Sequence, residues 1–333
     1  MSETAQIAKM AEVVSKELFG AFKWKQKVSQ DHSWDCVASD EHGGKDSHPS
    51  DCVMYYRDPY DRQMKYVNTD LKSYAKTSIN KVQIRKAMHS LTYATNCAQY
   101  NENWSRLFKP EDSFEVKGML FVYNHCDSYN GNFDDILKDI NESDKDRPKV
   151  NHLDGYSQVY VMSPYKITEL VSIAKDLKLM NADGLLPKSD KYCFFHPSEV
   201  LNKNHFSNKD YSEPATLEVL FSSWIIVKHD AAEHREAGYV IYYMEDGETV
   251  EEFTYLLDAL SYYQILNDKG SVDIRLVKKN KYGSLNLQEA INQYFGSIGY
   301  SNKQIEELKK EICVQTIGRF THQFSDIELG LMD

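Results

Sequence analysis

Eleven residues, Tyr66–Lys76 (YVNTDLKSYAK), decide how the first third of the chain is interpreted. Their composition and alternation predict a β-strand, in which residues two positions apart point to the same face. Asp70 and Lys72 are therefore expected on one face, with Val67 and Leu71 on the other. Such an acid–lysine pair is either an ordinary surface ion pair or half of a metal site.

The segments on either side predict a compact sheet-and-helix unit. Asp51–Tyr56 and Met64–Lys72 are two strand-like runs separated by the turn sequence RDPYDR, and together they predict a β-hairpin. An amphipathic helix is expected before it over residues 3–20, and a second helix after it over residues 79–99. Residues 40–50, rich in Gly, Asp and Ser, are expected to form a loop.

The remaining chain alternates predicted strands and helices. The predicted strands are Phe114–His125, Tyr156–Met162, Lys191–His196, Leu217–His229, Gly238–Glu245 and Ser271–Lys279. The predicted helices are Phe133–Ile140, Ile167–Leu179, Thr249–Leu266, Leu287–Phe295 and Asn302–Thr316. The polar segment Asn202–Pro214 predicts a domain boundary. We therefore expect a larger α/β domain over residues 1–205, and a smaller α/β domain over residues 215–333 that serves partner binding or dimerisation.

Charge is distributed unevenly along the chain. The 333 residues carry a net charge of −11, which argues against a protein that coats nucleic acid nonspecifically. Residues 60–90 reverse the sign, with seven Lys or Arg against two acids. A local basic surface of this kind positions a phosphate backbone without recognising its sequence. The positions expected to contact nucleic acid are Lys76, Lys81 and Arg85.

The six cysteines are scattered and form no CxxC pair. Structural zinc sites are commonly built from closely spaced ligand pairs, so we expect reduced, buried cysteines and no zinc site. His125-Cys126 and Cys193-x-x-His196 are the nearest approaches to such a pair.

The ends and apolar runs of the sequence predict where the protein resides. The N-terminal segment MSETAQIAKM has no apolar core of the kind that a signal peptide needs. No apolar run reaches the roughly 18 residues of a membrane helix. We expect a cytoplasmic protein that does not contact the membrane.

The order of acids and lysine resembles the PD-(D/E)xK superfamily of nucleases, also called restriction-endonuclease-like. Pro49-Ser50-Asp51 stands where that family has its Pro-Asp, with one residue inserted, and Asp70-Leu71-Lys72 stands for the (D/E)xK. The resemblance covers roughly residues 5–200, whereas P-loop, dinucleotide-binding, GxSxG and HExxH motifs are absent from the sequence. It implies an α/β fold with a restriction-endonuclease-like mixed sheet flanked by helices, followed by the second, smaller α/β domain.

The resemblance also implies a chemistry and a set of residues. It implies a Mg²⁺- or Mn²⁺-dependent nuclease that hydrolyses phosphodiester bonds, with DNA favoured over RNA. Asp51, Asp70 and Glu12 are the implied metal ligands, and Lys72 would hold the attacking water or stabilise the transition state. Glu17 is the alternative helix acid. It is five residues from Glu12, or about 140° around a helix, so the two cannot both face the site.

Two further expectations concern partners. Nucleases of this kind resemble components of bacterial phage defence, so the chain is expected to be a homo-oligomer or a subunit beside a second protein. It has no P-loop of its own, and any ATP-driven step would come from that partner. The alternative is a catalytically inactive module of the same fold that binds nucleic acid or a partner protein.

Overall fold

The structure, a computed structural model, describes residues 3–28, 31–143, 159–197, 212–266, 270–322 and 324. The chain divides into two compact units. The first contains the residues up to Thr168 together with those from Thr321 onward, and the second is Glu169–Phe320. Within the described residues, no helix is long and apolar enough to cross a membrane.

The first unit is built on a five-stranded mixed sheet. Its strands are β1 (Lys25–Gln26), β4 (Cys52–Arg57), β5 (Met64–Tyr74), β6 (Phe114–Asn124) and β7 (Val159–Met162), in the order β1-β4-β5-β6-β7. A separate two-stranded hairpin is formed by β2 (His32–Asp35) and β3 (Ser47–Ser50). The helices are α1 (Glu3–Ala21), α2 (Lys81–Tyr100), α3 (Glu102–Phe108) and α4 (Phe133–Ser143).

The predicted hairpin and the helices around it are confirmed. β4 and β5 pair antiparallel, and β5 then pairs in parallel with β6 along its whole length. Asn80 caps the start of α2 by accepting a hydrogen bond from the backbone N–H of Gln83, and this cap places the helix start two residues later than expected.

Helices cover both faces of strand β6, whose residues alternate between two apolar surroundings. Phe121 packs edge-on against Phe19 of α1, whereas Leu120 belongs to a buried cluster with Leu91 of α2. Gly118 lies on the α2 face, where an added Cβ would collide with Thr95. The sheet therefore separates an α1 face from an α2 face.

The second unit has its own five-stranded sheet. Its strands are β8 (Tyr192–Phe194), β9 (Trp224–His229), β10 (Gly238–Tyr243), β11 (Ser271–Leu276) and β12 (Ile312–Thr316), in the order β12-β11-β10-β9-β8. Helices α5 (Pro164–Ala182), α6 (Leu217–Leu220), α7 (Val250–Tyr262), α8 (Gly283–Ser297) and α9 (Asn302–Glu311) complete the described elements. The core combines α7 and α8 with the inner strands.

The division between the units lies earlier than the sequence predicts. The boundary was expected between residues 205 and 215, yet the second unit begins at Glu169. The reason is that α5 contacts the second sheet and β8 is one of its strands. Asp176 of α5 binds Arg275 of β11 through both carboxylate oxygens, at 2.8 and 2.9 Å, and Tyr192 of β8 pairs with β9. Most of the polar segment 202–214 lies outside the described residues.

Two further expectations need correction. Residues 40–50 are not all loop, because Ser47–Ser50 pairs with His32–Asp35 as β3. The helix expected over Asn302–Thr316 ends at Glu311, and its last five residues form β12. These residues, ICVQT, are rich in β-branched side chains and pair in parallel with β11, so tertiary pairing overrides the helical pattern.

Candidate active site

The register of the β4–β5 hairpin brings two carboxyl groups together. Cys52, the first residue of β4, is paired with Thr69, so Asp51 comes opposite Asp70. The Asp51 carboxylate accepts a hydrogen bond of 2.7 Å from the backbone N–H of Leu71 and is in hydrogen-bond contact with the Asp70 carboxyl group. The separation of 19 residues in sequence thus becomes a direct contact in space.

Lys72 completes the cluster from the same face of β5. Its ammonium group forms a direct ion pair with the Asp70 carboxylate. Burial alone would lower the pKa of Lys72, but the charges of Asp70 and Asp51 outweigh it and raise that pKa. The lysine is therefore held in its charged form.

Asp51 carries the opposite perturbation. Burial, followed by the negative charge of Asp70, raises its pKa to about 6, while the hydrogen bond from Leu71 and the charge of Lys72 act against that rise. Asp51 and Asp70 are adjacent carboxylates, and Lys72 forms a direct ion pair with one of them, Asp70. A cation bound between the two carboxylates would relieve their mutual repulsion.

A cleft of about 300 Å³ opens over this cluster, between β5 and α2. Its floor contains Asp70 and Lys72, which are in register with Leu120 and Val122 on the α2 face of the sheet. The lining residues are Pro49, Asp51, Asn68, Thr69, Asp70, Lys72, Tyr74, Gln83, Lys86, Ala87, Ser90, Leu91 and Ala94. The Pro-Asp and (D/E)xK residues of the sequence motif therefore converge on one cleft.

Comparison with known protein families agrees with this geometry. Residues 1–166 match the family described as "GAPS4 protein PD-(D/E)XK nuclease domain". The N-terminal half of the chain belongs to this nuclease family. No curated protein and no solved structure matches the chain.

Two cations of the nuclease domain that sequence reasoning missed lie close to the acids. Lys86 of α2 lines the cleft. Lys45 donates a hydrogen bond of 2.8 Å to the Ser90 hydroxyl; burial lowers its pKa, and the nearby Asp70 carboxylate partly offsets that effect. Lys86 belonged to the basic count of residues 60–90, whereas nothing in the sequence around Lys45 connects it with Asp70.

The basic residues that were expected to contact nucleic acid lie elsewhere on the nuclease domain. The cleft-lining residues of α2 recur with the spacing of a single helix face, and Arg85 and Lys81 lie roughly 100° and 140° around the helix from Lys86. Lys81 forms a long ion pair of 3.9 Å with Asp139 of α4. Lys76 is exposed, in the 3₁₀ turn between β5 and α2. Among the described residues, the lining of the cleft includes none of these three.

The two candidate helix acids, Glu12 and Glu17, each have an ion-pair partner. Glu12 belongs to α1, which covers the other face of the sheet, and it pairs with Lys9 at 2.7 Å. Glu17, the alternative, pairs with His322 at 3.1 Å. Neither acid is among the described residues that line the cleft. The role of Glu12 as a metal ligand beside Asp51 and Asp70 therefore stays a prediction.

Asp31 is close enough to both Glu12 and Asp51 for their negative charges to affect its pKa. Burial raises the pKa of Asp31, and the negative charges of Asp51 and Glu12 raise it further. Its backbone N–H donates a hydrogen bond of 3.0 Å to the carbonyl oxygen of Asp51. Sequence reasoning missed this acid because it belongs to neither motif.

The residues present fit a divalent cation. Members of the PD-(D/E)XK family generally use divalent metals, and Mg²⁺ and Mn²⁺ prefer carboxylate oxygen ligands. Asp51 and Asp70 supply such oxygens in the lining of the cleft, where burial and then the negative charge of Asp70 raise the pKa of Asp51.

Proposed function

We propose that this protein is a metal-dependent nuclease that hydrolyses phosphodiester bonds of DNA. The observation that supports it best is the convergence of Asp51, Asp70 and Lys72 on one cleft, within a domain that matches a PD-(D/E)XK nuclease family. Mg²⁺ or Mn²⁺ is the proposed ion, because the donor set consists of hard oxygen atoms.

The two aspartates are the proposed metal ligands. Asp51 and Asp70 would hold the ion between them, and Asp31 and Glu12 would add negative charge beside it without lining the cleft. When bound, the ion supplies a water that is acidic enough to attack near neutral pH and covers the charge that develops on the phosphate.

The lysines take the proposed role of handling the substrate phosphate. Lys72 keeps its ammonium charge because of its carboxylate neighbours, and it donates hydrogen bonds to the attacking water or to a phosphate oxygen. Lys86 and Lys45 lie near the same acids and would position the scissile phosphate. Lys76, Lys81 and Arg85 would contact more distant phosphates of the same strand.

A role in phage defence and a partner protein are part of the proposal. The match with the GAPS4 family supports an association with phage defence. The second unit, Glu169–Phe320, carries its own hydrophobic core and none of the cleft residues. We therefore assign to it the accessory role of partner binding or dimerisation.

The first experiment measures cleavage. Supercoiled plasmid, linear duplex DNA, single-stranded DNA and RNA are each incubated with the full chain and Mg²⁺ or Mn²⁺. We expect cleavage of DNA, at least 100-fold slower with Asp70→Asn or Lys72→Ala, since removing one electrostatic stabiliser costs roughly 10²–10³ in rate. Conversion of supercoiled to open-circular DNA would assign an endonuclease.

Asp61→Asn is the matched control. Asp61 lies in the turn that leads into β5, where it pairs with Lys65, and it is not among the residues that line the cleft. It should cleave at the wild-type rate. If Asp70→Asn and Lys72→Ala are folded and cleave as fast as Asp61→Asn, the assignment of the cleft is wrong. If the wild-type chain binds DNA without metal and cleaves none of the substrates, the inactive binding module becomes the better description.

A further inference from the structure

Two cysteines and two histidines meet at a single point of the first unit, apart from the acid cluster. Cys36 follows strand β2, His42 lies in the turn of the hairpin, His48 is in β3, and Cys97 is on α2. One ligand atom from each residue lies within 4.8 Å of the other three. His42, His48 and Cys97 are buried, and Cys36 is half-buried.

The spacing of these atoms is that of a metal-coordination shell. Cys36 Sγ lies 3.1 Å from His42 Nδ1, and the same Nδ1 lies 3.3 Å from His48 Nε2. The two sulfur atoms of Cys36 and Cys97 are also in contact. A tetrahedral Zn²⁺ site, with Zn–N near 2.0–2.1 Å and Zn–S near 2.3 Å, separates its ligand atoms by about 3.3–3.8 Å.

Hydrogen bonding alone satisfies this arrangement poorly. His42 Nδ1 faces both a thiol and a second ring nitrogen, and it can carry only one proton with which to bond one of them. The surroundings offer little water, since Trp34 packs against His48 and Tyr93 against His42, with ring centroids 5.0 and 5.2 Å apart. A cation at the centre would accept a lone pair from all four residues at once.

The chemistry of the donors selects the metal. Sulfur and imidazole nitrogen suit Zn²⁺ and do not suit Mg²⁺ or Ca²⁺. Two thiolates and two neutral imidazoles together balance the double charge of Zn²⁺, so the complex can be buried without an unpaired charge. Four protein ligands leave no position open for a substrate, which is the arrangement of a structural site and not of a catalytic one.

We propose that Cys36, His42, His48 and Cys97 bind one structural Zn²⁺ ion that fastens the β2–β3 hairpin to α2. The hairpin carries Lys45 and leads directly into Asp51, and α2 carries Lys86. The ion thus ties together two elements that carry cations near the acids, Lys45 on the hairpin and Lys86 on α2. The expectation of no zinc site arose because the first three ligands are spaced six positions apart and the fourth lies on a different element.

Metal analysis of the purified full chain tests the proposal. Elemental analysis by mass spectrometry is expected to find close to one zinc per chain in protein prepared under reducing conditions. Cys97→Ser and His42→Ala should each reduce the bound zinc at least fivefold. Cys126→Ser, which removes an exposed thiol outside the cluster, should retain the full amount.

A second measurement does not depend on whether the variants fold. Wild-type chain stripped of zinc and titrated with Co²⁺ should develop the visible absorption of tetrahedral cobalt with thiolate ligands, and Zn²⁺ should abolish it. Wild-type protein without zinc, a Co²⁺ spectrum without thiolate absorption, or a Cys36–Cys97 disulfide in the isolated protein would each overturn the proposal. These measurements are independent of cleavage, so the zinc site can stand if the nuclease assignment fails, and the reverse.

Discussion

The carboxyl group of Asp51 is placed where its ionisation costs stability. Its pKa is about 6 in the folded chain against 3.8 for an unperturbed aspartate, because burial and Asp70 both disfavour the charged form. The folded state therefore binds this proton more tightly than the unfolded state does. The resulting stabilisation is fully present below about pH 4 and is lost as the pH rises through about 6.

Asp51→Asn should therefore stabilise the chain at neutral pH when no Mg²⁺ is present. We expect the free energy of unfolding at pH 7.5 to rise by roughly 1–3 kcal/mol relative to wild type, and the gain to vanish near pH 4. Urea unfolding at a series of pH values, in buffer without Mg²⁺, measures this difference.

The control variant, Asp61→Asn, should change the free energy of unfolding in the opposite direction. Asp61 is also partly buried, which alone would raise its pKa, but the hydrogen bond from Lys65 leaves that pKa lowered. Asp61→Asn should thus lose a little stability at neutral pH and none in acid. If Asp51→Asn instead destabilises the chain at pH 7.5, ionisation of the Asp51 carboxyl group does not destabilise the folded state as described.

At the level of single residues, the sequence predicts contacts within one strand or across one short hairpin. Asp70 and Lys72 share a face because residues two positions apart on a strand point the same way. Asp51 joins them through a hairpin whose turn can be recognised from its sequence. Lys45 and Asp31 could not be found in this way. Each lies in a segment between strands, and tertiary packing determines whether that segment passes close to Asp51 or Asp70.

Helix α2 presents different cations on different sides, which makes it the element to test for DNA binding. Lys86 lines the cleft, whereas Lys81 pairs with Asp139. Lys86→Ala should weaken binding of duplex DNA several-fold and reduce the dependence of log K on log salt by about one phosphate contact. Lys81→Ala should have a smaller effect on both. Fluorescence anisotropy over a salt series, with Ca²⁺ to prevent cleavage, compares them.

The reverse ranking would move the DNA path away from the cleft. A larger loss for Lys81→Ala than for Lys86→Ala would place the phosphate backbone against the α4 side of α2. Equal and negligible losses would assign the contacts to other cations, among them Lys45 and Lys76.

Among the secondary-structure elements, strong periodicity was a good guide and weak local signals were not. Helices α1 and α2 and strand β6 appear within two residues of their expected bounds. The β2–β3 hairpin escaped notice because its strands have four residues each and its connection is rich in glycine and acids. Its pairing is supported by contacts that sequence does not show, such as the Trp34 indole donating to the Ser50 hydroxyl at 3.1 Å.

At the scale of the whole molecule, the first unit is discontinuous in sequence, because the last described residues of the chain return to it. His322 pairs with Glu17 of α1, and the Phe324 ring packs against Tyr123 of β6 with centroids 6.1 Å apart. A chain ended after residue 320 should therefore lose about 1 kcal/mol in the first unit, or roughly 2–4 °C in Tm.

A chain ended after residue 324 is the matched control and should melt roughly 2–4 °C above the chain ended after residue 320. Three of the four tryptophans, Trp24, Trp34 and Trp104, belong to the first unit, so tryptophan fluorescence reports mainly on it. Equal melting temperatures for the two truncated chains would mean that the returning segment contributes nothing measurable.

The domain division was the expectation that sequence served least well. Composition marks the polar segment around 202–214, but a boundary is set by which sheet each element joins. The pairing of β8 with β9 and the ion pair between Asp176 and Arg275 join elements that are distant in sequence. Neither interaction has a local signature.

The return of the chain also has a consequence for synthesis. Once α1 and the first sheet, which ends at Met162, have been synthesised, another 160 residues must be translated before His322 can reach Glu17. At about 5–20 residues per second this takes roughly 8–30 seconds. If the inserted unit were still unfolded, closing so long a loop would cost about 4–5 kcal/mol of chain entropy. A newly made molecule therefore completes the first unit last, and folding of the second unit before that step would shorten the loop that has to close.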